Sequence, residues 1–132
     1  MNLQRGFGRR VLEVLEAHGV SYEHIPSGID SMSIIVADEQ LAGHEASILR
    51  ELKRVLEPDR IQAYGELALI ATVGEGMAYR VGVAGALFEA LREAQVNVRM
   101  ISQGASEINI IVGVATEDYE RAVRAIYAAF VD

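Results

Sequence analysis

The chain states one pattern twice. Residues 6–36 lie over residues 82–112 without a gap, at the constant offset that separates Gly6 from Gly82. Glu13 falls on Glu89, Leu15 on Leu91, Val20 on Val96, Ile25 on Ile101, Gly28 on Gly104, and Ile34-Ile35-Val36 on Ile110-Ile111-Val112. Solenoid repeats recur every ~20–50 residues, so this longer interval points to a duplicated small module, each copy with its own core, the two forming a pseudo-symmetric pair. A chain of 132 residues can hold two such cores. A doubled module without a doubled set of reactive side chains suits sensing or assembly better than catalysis.

The hydrophobic period changes in the same order within each copy. Phe7, Val11, Val14, Leu15 and His18 recur at helical spacing, which predicts a helix over 6–18, and Gly19 supplies its left-handed C-cap. Two short apolar runs, Val20–Ile25 and Met32–Val36, flank Pro26-Ser27-Gly28-Ile29-Asp30 and read as a strand pair around a turn. Asp38 or Gly43 opens a second helix through Ile48, Leu49, Leu52, Val55 and Leu56, stopped by Pro58, and 60–64 reads as a further strand. In the second copy, Leu67–Val73 reads as a buried strand, 74–82 as a Gly-rich loop, and Val83, Leu87 and Leu91 as a helix. Strands over about 96–102 and 108–114 follow, then a helix from Thr116, its N-cap, to Phe130, with Glu117 and Asp118 favouring its dipole.

The order βαββα with one more strand is that of a ferredoxin-like α/β (α+β) sandwich, and it divides the chain into modules 1–64 and 65–132. Only Met1–Arg5 precede the first helix, too few for the equivalent strand, and the last helix is followed by no counterpart of the strand read at 60–64. Each sheet is therefore expected to lack one strand here, and an upstream segment to add stability. The apolar runs Ser33–Val36 and Asn109–Val114 are expected as edge strands seeking a partner sheet, which predicts a homodimer.

With 51% hydrophobic and 23% charged residues the chain is an ordinary globular one, and its net charge of −7 argues against nucleic acid or an anionic membrane as partner. Arg5, Arg9 and Arg10 read as a solvated helix face. The absence of cysteine excludes disulfides, thiolate metal sites and a cysteine nucleophile, and agrees with a cytoplasmic setting. No apolar run reaches transmembrane length and no signal-peptide pattern opens the chain. His18, His24 and His44 lack a second ligand at metal spacing, so capping or surface roles are expected and no metal. Gly74, Gly76, Gly82 and Gly85 do not fall at dinucleotide-loop spacing, and no P-loop lysine occurs. The serines and aspartates of 26–33 have no histidine base placed by pattern.

What the loops offer is a helix start in each module, where unpaired N–H groups favour a carboxylate. Gly6, Gly8, Gly82 and Gly85 serve either close ligand approach or tight helix packing. After the first helix come Ser21, Tyr22 and Glu23, and Asp30 ends the turn, so an acidic pair is available for an amino group; the second module has Asn97, Val98 and Arg99 instead. A cationic ligand therefore belongs to the first module.

The stretch Val20–Asp30, together with Arg99–Ser106 and the Val73–Met77 loop, resembles the C-terminal regulatory region of aspartokinases, a tandem of ACT domains, over practically the whole chain. The resemblance implies an upstream kinase domain that uses ATP and Mg to phosphorylate aspartate, with no cofactor and no catalysis in this chain. It also implies a dimer that binds an end-product amino acid and so inhibits the kinase. The lysine-sensitive members imply a pocket in module one. Met1, Gln4, Phe7 and Gly8 would stand at the helix entrance, Ser21, Tyr22 and Glu23 on the next strand, and Gly28, Ile29 and Asp30 would approach from the partner chain, with Glu23 facing the ε-ammonium. A threonine or methionine sensor, a dimerisation module that binds nothing, and a small stand-alone enzyme are the alternatives.

Overall fold

The computed structural model describes residues 5–74, 80–103 and 109–131. The chain divides into two compact units, 1–63 and 64–132.

The first unit holds α1 (Phe7–Ala17), α2 (Asp38–Leu41) and α3 (Glu45–Leu56). Val11, Val14 and Leu15 of α1 bury against Ile48 and Leu52 of α3 and against Val20, with Phe7, Met32, Ile34 and Leu41 packed around them. The second helix expected from either Asp38 or Gly43 begins twice. Gly43, at φ +80°, breaks it, and α3 starts two residues later. Asp38 and Glu39 stand in the first turn of α2, where the dipole favours acids. Glu57 turns left-handed after α3 (φ 46°, ψ 54°), and Pro58 bars continuation.

The expected strand pair is reduced to two isolated antiparallel bridges, His24↔Ile35 and Ser27↔Met32, in one register. Two local causes prevent a full ladder. Pro26 has no N–H, so opposite Ser33 only the Ser33 N–H to Pro26 O bond forms (3.0 Å). The turn is closed by Gly28 N–H to Ser31 O (2.9 Å) around Ile29 and Asp30, neither of which has the positive φ of the primed turns that match strand twist. Residues 60–64 form no strand, because among the described residues no second segment hydrogen-bonds to them as a ladder.

The second unit runs β1 (Leu67–Val73), α4 (Val83–Glu93), β2 (Met100–Ser102), β3 (Asn109–Ala115), a 3-10 turn (Thr116–Asp118) and α5 (Tyr119–Phe130). The sheet order is β1-β3-β2, with β3 antiparallel to both neighbours. β1 and β2 are thus parallel, joined through α4 with β3 between them, which is the split βαβ of the ferredoxin-like fold. Ile110, Val112 and Val114 alternate from β3 into a core with Ile70, Leu87, Leu91, Val96, Ala122 and Ile126. The run 109–114, expected at an edge, is therefore the central strand. β1 is buried on one face only; Ala71 and Val73 are exposed.

β2 is shorter than the expected 96–102 because the Val96 N–H is spent on Leu91 O (2.9 Å) in closing α4, and pairing to β3 begins only with Arg99 N–H to Gly113 O (2.7 Å). Thr116 is not an N-cap. Its N–H bonds Glu66 O (2.9 Å), and the α-helix starts at Tyr119. From α5, Arg121 donates to Ala94 O (3.0 Å) and Gln95 O (3.3 Å), covering the end of α4.

The duplication persists in the hydrogen bonds. Val20 N–H to Leu15 O and Gly19 N–H to Glu16 O in the first unit match Val96 N–H to Leu91 O and Gln95 N–H to Arg92 O in the second. Both closures need a left-handed residue, Gly19 at φ 68° and Gln95 at φ 58°. The hairpins then diverge. Ile25 lies opposite Ile34 in the register the two bridges set, whereas its counterpart Ile101 pairs with Val112, the counterpart of Val36. A two-residue slip leaves every side chain on its own face, since the strand period is two. This is how gapless sequence similarity coexists with different pairing.

Candidate functional site

Gly6 precedes α1 in a left-handed conformation (φ 82°, ψ 4°). Among the described residues no side chain caps this helix start, and no acid stands in its first turn. Gly82 repeats this before α4 (φ 90°, ψ 1°). A Cβ built at either glycine would meet nothing within 4 Å, so both are required by backbone conformation and not by crowding. A Cβ at Gly8 would lie 3.9 Å from Met32 Cε, an ordinary contact, and one at Gly85 would meet nothing. Phe7 is half-buried against the unit's core. Met1 and Gln4, like the 75–77 and 104–106 parts of the quoted motifs, lie outside the described residues.

Ser21, Tyr22 and Glu23 are all exposed on a segment held by backbone bonds at intervals. The Ser21 N–H donates to Gln40 Oε1 of α2 (3.3 Å), and the Glu23 N–H to Ile35 O (2.7 Å). At the tip, Gly28, Ile29 and Asp30 are exposed, Ile29 by 77%. A Cβ at Gly8 would lie beside the end of the Met32 side chain, and Met32 stands opposite Ser27, while Ser21 is tied to α2 through Gln40. In the second unit the base of the hairpin carries Arg99, its guanidinium 5.8 Å from the centre of the Tyr64 ring, where a cation–π attraction holds it.

Sequence reading missed Gln40 and Met32. The only hint of Gln40 was the doubled helix start, which left a short isolated turn with no evident task. His18 Nδ1 bonds Val14 O (2.9 Å) at the end of α1, and His44 stands at the start of α3. Among the described residues no cluster of three or more His, Asp or Glu is placed to hold a metal, and no helix is long and apolar enough to cross a membrane. Hydrogen bonds from Arg54 and Arg92 hold the Glu51 and Glu89 carboxyls below the usual range.

A split βαβ with a second antiparallel pairing and two helices on one face is a ferredoxin-like module, and residues 70–130 match the family model of the ACT domain. Over 131 residues the chain is 45% identical to aspartokinase 3 of Bacillus subtilis, covering 98% of this chain and 29% of that protein. Among solved structures, aspartate kinase of Clostridium acetobutylicum superposes with a TM-score of 0.94 at 49% identity (98% of this chain, 30% of that one). The ligand-free regulatory subunit of aspartate kinase from Thermus thermophilus gives 0.82 at 27% (96% and 84%). E. coli aspartokinase III in complex with lysine and aspartate gives 0.78 at 27% (98% and 28%). The chain is an ACT regulatory region of the aspartokinase family. It spans under a third of the length of the Bacillus relative.

Proposed function

We propose that this chain is the effector-sensing part of an aspartate kinase and that its effector is L-lysine, bound by the first unit. The observation that carries the reading is the exchange of charge at the base of the two hairpins: exposed Glu23 in the first unit, Arg99 against Tyr64 in the second. Only the first can accept an ammonium. The uncapped start of α1 suits the ligand's carboxylate, and a relative of the same fold has been solved with lysine.

The exposed tip Gly28–Asp30 of a second copy would complete the lysine site, which makes the homodimer part of it. In the parent enzyme the sensor follows a kinase domain that phosphorylates aspartate with ATP and Mg, and lysine binding lowers that activity. The test is substitution at the two equivalent positions. Glu23→Gln removes one charge-assisted hydrogen bond, about 1.5–3 kcal/mol, so lysine affinity falls about 10- to 100-fold, while Arg99→Gln leaves it intact. Unchanged affinity in Glu23→Gln overturns the assignment.

A further inference from the structure

The first-unit segment that carries Ser21, Tyr22 and Glu23 belongs to no regular ladder. Its N–H groups are held by three different elements: Val20 by Leu15 O of α1 (2.9 Å), Glu23 by Ile35 O of the facing arm (2.7 Å), and Ser21 by the Gln40 side chain of α2 (3.3 Å). The Gln40 tether is the only one of the three made by a side chain, and it falls at the residue where the chain leaves the α1 cap and becomes the exposed segment.

α2 is built to deliver it. The helix is four residues long, cut from α3 by left-handed Gly43, anchored by Leu41 on the core, and its Gln40 side chain crosses 19 residues of sequence to reach Ser21. Among the described residues the second unit has no equivalent. Thr116 matches Gln40 in sequence, and Asp118 matches it once the two-residue slip is allowed for. Thr116 bonds Glu66 through its N–H, Asp118 pairs with Arg121, and neither reaches Asn97, the counterpart of Ser21. The tether thus occurs in the unit with the acidic hairpin base and is missing from the other.

We infer that Gln40 is a positioning residue for the amino-acid site: by accepting the Ser21 N–H it fixes the backbone that presents Ser21 and Glu23, without itself touching the ligand. This rests on the lysine-sensing reading of the first unit. A preorganised segment spares the ligand the cost of ordering it, so losing the tether weakens binding while leaving the fold intact, because the contact is exposed and outside the core.

The experiment uses two variants of the whole chain, L-lysine calorimetry, and amide exchange at Ser21. Gln40→Met keeps length and removes the acceptor; lysine affinity falls about three- to tenfold (~0.7–1.4 kcal/mol), Ser21 exchanges faster, and the melting temperature holds. Gln40→Glu keeps an acceptor oxygen and restores Ser21 protection together with most of the affinity. Lysine affinity unchanged in Gln40→Met despite faster Ser21 exchange overturns the inference and leaves the lysine site standing, as does equal weakening in both variants with Ser21 protected in Gln40→Glu. A wild-type chain that gives no heat with lysine overturns the site itself and this inference with it.

Discussion

The two helix closures invite a reciprocal exchange. Gly19 and Gln95 occupy the same position of the repeat, make the same cap and share the left-handed conformation, at φ 68° and 58°. A Cβ at Gly19 would meet nothing within 4 Å, and Gln95 is exposed, so the exchange changes conformational preference and little else. Left-handed backbone costs a non-glycine residue about 1–2 kcal/mol, and glycine frees the unfolded chain by about 0.4–1 kcal/mol. Gln95→Gly therefore stabilises the second unit by about 0.5–1 kcal/mol, and Gly19→Gln destabilises the first by a similar amount. For units of this size 1 kcal/mol moves the midpoint by about 4–8 °C, so calorimetry should show Gln95→Gly rising by roughly 2–8 °C and Gly19→Gln falling as far. A fall in Gln95→Gly, or the same sign in both, would refute the idea that the repeat stores strain in one copy and relieves it in the other.

Gly113→Ala should destabilise the second unit. The added Cβ would stand 2.9 Å from Met100 Cβ and 3.3 Å from both Leu67 methyl groups, and a backbone-fixed Cβ cannot yield. Overpacking of this kind costs about 1–3 kcal/mol, and an unchanged melting curve would contradict the packing described. For pH, the Glu51 and Glu89 carboxyls are held low above all by hydrogen bonds from Arg54 and Arg92. Their folded-state values lie below the unfolded one, so the contribution is in place at neutral pH and is lost as pH falls below about 4.5. Melting of Glu89→Gln and the parent chain should differ at pH 7 and converge as the pH falls into the acid range, with salt narrowing the neutral gap because both partners are exposed; a gap that persists in acid would point to some other cause.

Much of the fold was legible because its signals are local. The helical spacing of Val11, Val14 and Leu15, repeated by Leu87 and Leu91, together with left-handed Gly19, is written within one or two turns of chain. Strand pairing was not. Apolar runs identify candidates for pairing, but register depends on turn geometry. Pro26 and the unprimed Ile29–Asp30 turn accompany one pairing and the second unit takes another, although the triplets Ile34–Val36 and Ile110–Val112 are identical. Residues 60–64 and 96–98 show the same limit, because a strand exists only where something pairs with it. At the candidate site the charge reversal between Glu23 and Arg99 could be read from the repeat, since it needs only alignment. The tether from Gln40 to Ser21 could not, since glutamine in a polar turn carries no periodic signal and its partner is distant in sequence. Nor does sequence reveal that Gly8 lies beside the Met32 side chain.

The central claim, that this chain senses L-lysine, is tested most directly by the melting temperature of the wild-type chain with L-lysine, L-threonine and L-methionine in parallel. A ligand that binds only the folded state adds about 2.7 kcal/mol at a hundred times its dissociation constant, or several degrees for a chain of this size. The account predicts a saturable rise with lysine and none with methionine, which has the carboxylate for the α1 start but no side-chain ammonium for Glu23. A rise with threonine or methionine and none with lysine would contradict it.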